Sequence, residues 1–209
     1  MHNDEIQPTL ALELEAIEPS KLILKGDSKS WNFEDQQGKR IQGSKTWSRI
    51  FYENDKSPLC IVLNDVKSSS GVQVYDKSMK MSLSLQDAIR ARLDKFLHRP
   101  LMNTLFENRE TLIPDKRRLN SPLELGGSFT GIIKAGGEIK DKPGEFYKDV
   151  ISVTVPMSRS GQLDSNLCLV ETPDQHPYDW TQLAGKKIVE IVLELEDIRT
   201  TPGKDYIIT

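Results

Sequence analysis

Two sets of residues in this 209-residue chain are able to do chemistry, and they are arranged differently. The first set holds the usual nucleophiles, bases and metal ligands. It is sparse, with only 3 His and 2 Cys. His98 stands beside Arg99 and Pro100, His176 sits between Gln175 and Pro177, and Cys60 and Cys168 are far apart in the chain. None of these has the spacing of a zinc pair, a His-Glu-x-x-His helix or a nucleophile elbow. No glycine-rich segment opens a helix with a Lys-Ser/Thr ending, so there is no P-loop. Asp164, Asp174 and Asp179 are carboxylates of the kind that hold magnesium, but their spacing singles out no site.

The second set is made of cations interleaved with flat rings. Trp31, Phe33, Trp47, Phe51, Tyr52 and Tyr75 fall among Lys29, Lys39, Arg40, Lys45 and Arg49. Arg92, Lys95 and Arg99 recur at the spacing of one helix face, and Arg90 is expected to pair with Asp94 one turn on. Lys116, Arg117 and Arg118 form the densest basic run. Lys140, Lys142, Tyr147 and Lys148 surround a Gly/Pro-rich turn. Cations of this kind neutralise phosphates and release their counterions. A base stacked on an aromatic ring contributes ~1–3 kcal/mol. Trp31 and Phe33 are the better stacking candidates because their neighbours are polar, whereas Trp47 and Phe51 read as core. The plainer account of the basic helix is the solvated side of an amphipathic helix.

Composition bounds both sets. Hydrophobic residues make up 37% and charged residues 28%, the net charge is -3, and the pI is near 5.7. A chain-wide attraction to polyanions is therefore excluded, but a local basic groove is not, because phosphate binding follows the nearby field. The distribution is uneven: acidic over the first twenty residues, basic from Arg90 to Arg118, and acidic again from Glu171 onward. No apolar run approaches the ~20 residues that span a bilayer. The acidic N-terminus carries no secretory pattern, and two isolated cysteines suit a reducing, intracellular setting.

The elements that must position these residues are mostly strands. Leu10–Glu15 and Leu22–Lys25 suggest a hairpin around Glu18-Pro19-Ser20, with a helix over the first run as the alternative, and residues 26–46 read as a long polar loop around Trp31 and Phe33. Trp47–Tyr52 and the apolar Leu59–Leu63 read as strands, the second as a buried one. Ser68–Gly71 reads as a turn, and Val72–Val74 and Met79–Leu85 as paired strands. Ser84 with Asp87 has the spacing of a helix start, and Ile89, Leu93, Phe96 and Leu97 give the apolar face. Pro100 is expected to end or kink that helix, with a second short helix over 101–108. Strand patterns return at Ser128–Lys134, Val150–Val155, Asn166–Val170 and Lys187–Ile198. Some eight to ten strands with a helix between two strand groups make a β-rich α+β domain.

The segment Lys77-Ser-Met-Lys-Met-Ser-Leu-Ser-Leu85, the helix after it, Asp149-Val-Ile-Ser-Val-Thr-Val-Pro156, and Trp180 through Leu195 follow one another in a familiar order. Over residues 57–198 this order resembles the OB-fold single-stranded DNA-binding proteins of large DNA viruses and short-tailed phages. In those proteins a helix interrupts the barrel strands and a Gly-Lys turn, here Gly185-Lys186, feeds a long closing strand. The chain departs from the phage pattern at its end, Asp205-Tyr-Ile-Ile-Thr209, which is not an acidic tail closed by an aromatic residue.

The resemblance implies an OB-like β-barrel with an interrupting helix at about 84–108. Its core would be residues 57–198, with residues 1–55 packed on it in a single domain of 1–209. A β-sandwich or jelly roll is the alternative. The function expected is non-enzymatic binding of single-stranded DNA, as in DNA replication, with no cofactor, no metal and no membrane partner. If the source is viral, the location is the host cytoplasm or nucleus. Single-stranded nucleic acid is the expected partner, alongside replication proteins or a second copy of the chain. The binding residues expected are Trp31, Phe33, Lys45, Arg49, Arg92, Lys95, Arg99, Lys116, Arg117, Arg118, Lys140, Lys142, Tyr147 and Lys148. The rival expectations are a structural component of a viral or other assembly, and a metal-dependent enzyme using the scattered carboxylates.

Overall fold

The computed structural model describes residues 11–34, 40–76, 78–112, 121–122, 129–130, 132–200 and 206–208. Residues 28–34, 41–46, 129–130, 199–200 and 206–208 are described for the backbone alone. The class expected from the sequence is the class observed. The chain is β-rich α+β and includes a five-stranded sheet curled into a half-barrel. It forms two compact units, each discontinuous in sequence. The first is residues 1–62, 93–131 and 192–209, and the second is residues 63–92 and 132–191.

The first unit is built on β1 (Leu22–Glu34) and β2 (Arg40–Tyr52). They pair antiparallel from Leu22 opposite Tyr52 to Glu34 opposite Arg40. Residues 26–46, expected as a loop, are therefore mostly strand. Trp31 faces Gly43 and Phe33 faces Ile41 across the ladder. The polar composition of these residues conceals a backbone ladder between two long neighbouring strands. In place of the expected hairpin the chain makes 3₁₀ turns at Leu14–Ala16 and Pro19–Lys21, the first of them in the run whose alternative reading is helical. Leu12 makes an isolated bridge to Ile61. β9 (Asp197–Thr200), β10 (Tyr206–Ile208) and β5 (Phe129–Thr130) complete the sheet in the order β1-β2-β9-β10-β5.

One helical run follows α1 (Asp87–Leu93). It passes through a π turn at Asp94–His98 into α2 (Arg99–Glu107), with a last turn, α3, at Arg109–Leu112. The start expected at Ser84 is wrong by three residues, because Ser84 ends a strand and bonds its hydroxyl to that of Ser69. Pro100 does not end the helical run; it stands in the first turn of α2, the second short helix expected there. The Arg99 N–H reaches back five residues to the Asp94 carbonyl, and this wide turn precedes the proline, whose ring would crowd a tight α turn. Leu93, Leu97, Leu101 and Leu105 recur every four residues and are at most 1% exposed. Together with Leu14, Ile50, Leu59 and Ile61 they form the core of the first unit. Buried Tyr52 stays satisfied there: its hydroxyl donates to the Ala16 carbonyl and accepts from the Glu18 N–H.

The other sheet has the order β6-β7-β4-β3-β8. Its strands are β3 (Leu59–Tyr75), β4 (Ser78–Ser84), β6 (Ile133–Lys134), β7 (Val150–Val155) and β8 (Lys187–Leu195). The turn expected at Ser68–Gly71 is a bulge inside β3, where the register to β4 shifts between Ser68 and Val72. Gly71 takes φ 71°, and a Cβ there would lie 3.0 Å from the Ala184 backbone nitrogen, so glycine satisfies both conditions. Val66, Met79, Met81, Leu83, Leu85, Ile89, Ile151 and Leu183 make the core of the second unit. Asn166–Val170, expected as a strand, is a turn and coil with Leu167 and Leu169 exposed. There Asp164 accepts from the backbone N–H of Asn166, Leu167 and Cys168, which turns the chain back.

Candidate ligand-binding cleft

The second unit carries an open cleft of about 1190 Å³. Three short backbone features make it. The first is the stretch of β3 on either side of Asp65, a non-glycine residue at φ 58°. There Val66 and Ser68 turn inward while Asp65, Lys67 and Ser69 stay exposed. The second is the passage from Ser84 through Leu85 and Gln86 into the first residues of α1. The third is the segment after the 136–147 hairpin, which supplies Tyr147, Lys148 and Val150. Gly185 and Lys187 close the lining at the start of β8.

The hairpin is pinned at its base. Gly136 donates its N–H to Asp149 Oδ1 at 3.0 Å, and Tyr147 donates its N–H to the Gly137 carbonyl at 2.9 Å. Asp149 Oδ2 pairs with Arg90 Nε on α1, and its backbone carbonyl accepts from the Leu85 N–H. One aspartate thus ties the aromatic arm to the strand-to-helix passage. The arm stands in solvent, with Phe146 64% and Tyr147 61% exposed.

Three lysines border the cleft. Lys187 Nζ lies 2.7 Å from Asp65 Oδ1. Among the described residues neither Lys67 nor Lys148 has an ion-pair partner. Asp65 and Asp87 are its acidic members. Val66 and Leu85 form an apolar floor. An exposed ring, an apolar floor and cations on the rim can hold a flat aromatic group that carries phosphate.

Of the residues expected to bind, Tyr147 and Lys148 line this cleft. Lys140 and Lys142 sit exposed at the tip of the same hairpin, where Lys142 Nζ pairs with Glu145 at 3.1 Å. Arg92 lies half-buried on α1 and does not line the cleft. Lys95 and Arg99 belong to the first unit. Lys95 covers the Phe96 ring at 4.7 Å, and Arg99 pairs with Asp94 at 2.7 Å. The expected Arg90–Asp94 pair is absent, because Asp94 takes Arg99 and Arg90 takes Asp149. Arg49 is exposed on β2. Trp31, Phe33 and Lys45 are in β1 and β2, where the backbone alone is described. Lys116, Arg117 and Arg118 lie outside the described residues. Trp47 and Phe51, expected as core, are half-buried.

Sequence reasoning missed Lys67, Lys187 and Asp65. The signal for Lys67 was an alternation, Asp65-Val66-Lys67-Ser68-Ser69, that continues the strand past Leu63. The serine run that followed looked like a turn and concealed it.

The isolated nucleophiles and bases have structural surroundings. Burial pushes the Cys60 and Cys168 thiols up, with Glu194 adding to the effect at Cys60. Both cysteines are free. Half-burial within the helical run holds the His98 imidazole below its ordinary value. Asp179 accepts from the Thr181 N–H and hydroxyl and from Gln182, bonds that hold its carboxyl low while it caps the turn at Trp180–Gln182. Among the described residues no three His, Cys, Asp or Glu side chains gather at a metal site. No helix among them is long and apolar enough to cross a membrane. Comparison of the chain with known protein families, with curated proteins and with solved structures gave no match.

Proposed function

We propose that this protein is a non-enzymatic, OB-like barrel protein that binds single-stranded DNA through the cleft of its second unit. The observation that supports this reading most is the grouping of exposed Tyr147 with Lys67, Lys148 and Lys187 over an apolar floor. A base unstacked from its neighbours has a flat face for Tyr147, and the phosphates on either side meet the lysines. The opening suits a flexible strand, because the ring and the cations stand in solvent. Lys140 stands exposed on the hairpin, where Glu145 holds Lys142. The net charge of -3 makes this a local field and gives the rest of the surface no general affinity for nucleic acid.

The test separates stacking from charge. Fluorescence anisotropy of a labelled oligo-dT at low salt reports binding by the full chain. Tyr147→Phe keeps the ring and binds as the wild type does. Tyr147→Ala loses stacking worth ~1–3 kcal/mol, or roughly five- to 150-fold in affinity. No binding by the wild type at low salt overturns the reading. Equal binding by an oligo-U strand assigns the cleft to single strands in general and not to DNA.

A further inference from the structure

Asp65 is out of place for a site that attracts phosphate. It stands inside the cleft beside three lysines, its carboxylate is exposed, and Lys187 is the one described residue paired with it. Its backbone adopts φ 58°, a conformation that few side chains tolerate. The Gln86 side-chain amide donates to the Asp65 carbonyl at 3.3 Å, and the neighbouring Val66 is fully buried, so the backbone is held from both sides. Asparagine or glycine meets the same backbone demand at least as well and carries no charge. The pair with Lys187 is formed by two well-exposed side chains, 63% and 54%, and such pairs add little to stability. Neither the backbone nor the fold accounts for the negative charge.

We propose that Asp65 holds the place of a strand phosphate on Lys187, so that binding at this subsite is an exchange of one oxyanion for another. The inference rests on the reading of the cleft as a single-strand site. Lys187, which lines the cleft, holds the Asp65 carboxylate when no strand is present. A phosphate oxygen takes the same ammonium when the strand enters, and Asp65 then collects a cation from solution. That uptake offsets part of the counterion release from the strand, which weakens binding and flattens its dependence on salt. The expected consequence is a strand held loosely at this point and released readily.

The test uses the full chain with fluorescein-labelled oligo-dT, titrated by anisotropy over a series of salt concentrations. Asp65→Asn removes the charge and keeps the backbone conformation, and Asp65→Gly is the second variant for the same purpose. Both are expected to bind tighter at low salt, by about 1.4- to fivefold, the range set by one exposed ion pair. Their log–log salt slopes steepen by up to about 0.7, the share of one single-strand phosphate. Lys187→Ala weakens binding, and adding Asp65→Asn to it gives no further change. Asp65 variants that bind no tighter than the wild type overturn the exchange, and so does a tightening that persists without Lys187. A wild type that fails to bind oligo-dT at all overturns the single-strand reading itself, which keeps the two failures distinct.

Discussion

Arg90 Nε lies 2.5 Å from Asp149 Oδ2, and the other carboxylate oxygen of Asp149 accepts the Gly136 N–H at 3.0 Å. Two elements distant in sequence, the first turns of α1 and the base of the aromatic hairpin, therefore share one acidic side chain. Asp149 is only 22% exposed, so solvent screens the pair less than it screens the exposed pairs elsewhere on the chain.

Asp149→Ala removes both contacts and leaves the Gly136 N–H without its partner. The expected cost is about 1–3 kcal/mol of unfolding free energy, measured by urea denaturation. Amide exchange at Gly136 and Tyr147 quickens in the same variant, because the hairpin base loosens before the rest of the unit opens. Unchanged exchange at those two amides would show that Asp149 does not pin the arm.

Gly136 and Gly137 are neighbours with opposite tolerance. A Cβ at Gly136 would sit 1.8 Å from the Tyr147 carbonyl oxygen, whereas one at Gly137 meets nothing within 4 Å. Gly136→Ala therefore displaces the hairpin arm that carries Tyr147, at a cost on the order of 1–3 kcal/mol. Gly137→Ala stays within about 0.5 kcal/mol of the wild type. Thermal unfolding of the two variants side by side checks this, and equal melting temperatures would contradict the close approach.

Burial lowers the His98 pKa from its ordinary value of 6.5, and the nearby Arg99 acts in the same direction while Asp94 opposes it. The unfolded chain then binds a proton at a higher pH than the folded one. Stability from this residue is complete above about pH 6.5 and is lost as the pH falls from there toward the folded pKa. His98→Gln removes that slope, so its stability changes less than the wild type's between neutral and mildly acidic pH. Parallel urea midpoints across that range test it, and two curves that fall together would assign the slope to other groups.

The legible parts of the fold were those with one buried face. The pairing of Val72–Val74 with Met79–Met81 and the leucine row of the helix both follow from apolar periodicity. The inner halves of β1 and β2, Leu22–Lys25 and Trp47–Tyr52, were legible, whereas their polar outer halves, which pair with each other, show no alternation in the sequence. Ser68-Ser-Ser-Gly71 has turn composition, yet the same glycine serves a bulge just as well. At the site, Tyr147 and Lys148 stood out because an aromatic–cation pair follows a Gly/Pro turn. The alternation around Lys67 marks an exposed strand position, but that it and Lys187 meet at one cleft follows only from the pairing of distant strands. The π turn lets the helical run continue into α2, and Pro100 stands in the first turn of that helix, as its sequence position leads one to expect.

The most direct test of the cleft is lysine footprinting of the full chain with and without oligo-dT at low salt. An amine-reactive label followed by peptide mass analysis reads each position separately. The account predicts strong protection of Lys67, Lys148 and Lys187 by the strand, with no change at Lys56, which is exposed in the first unit. Binding that leaves the three cleft lysines as reactive as before, or that protects first-unit lysines in their place, would contradict it.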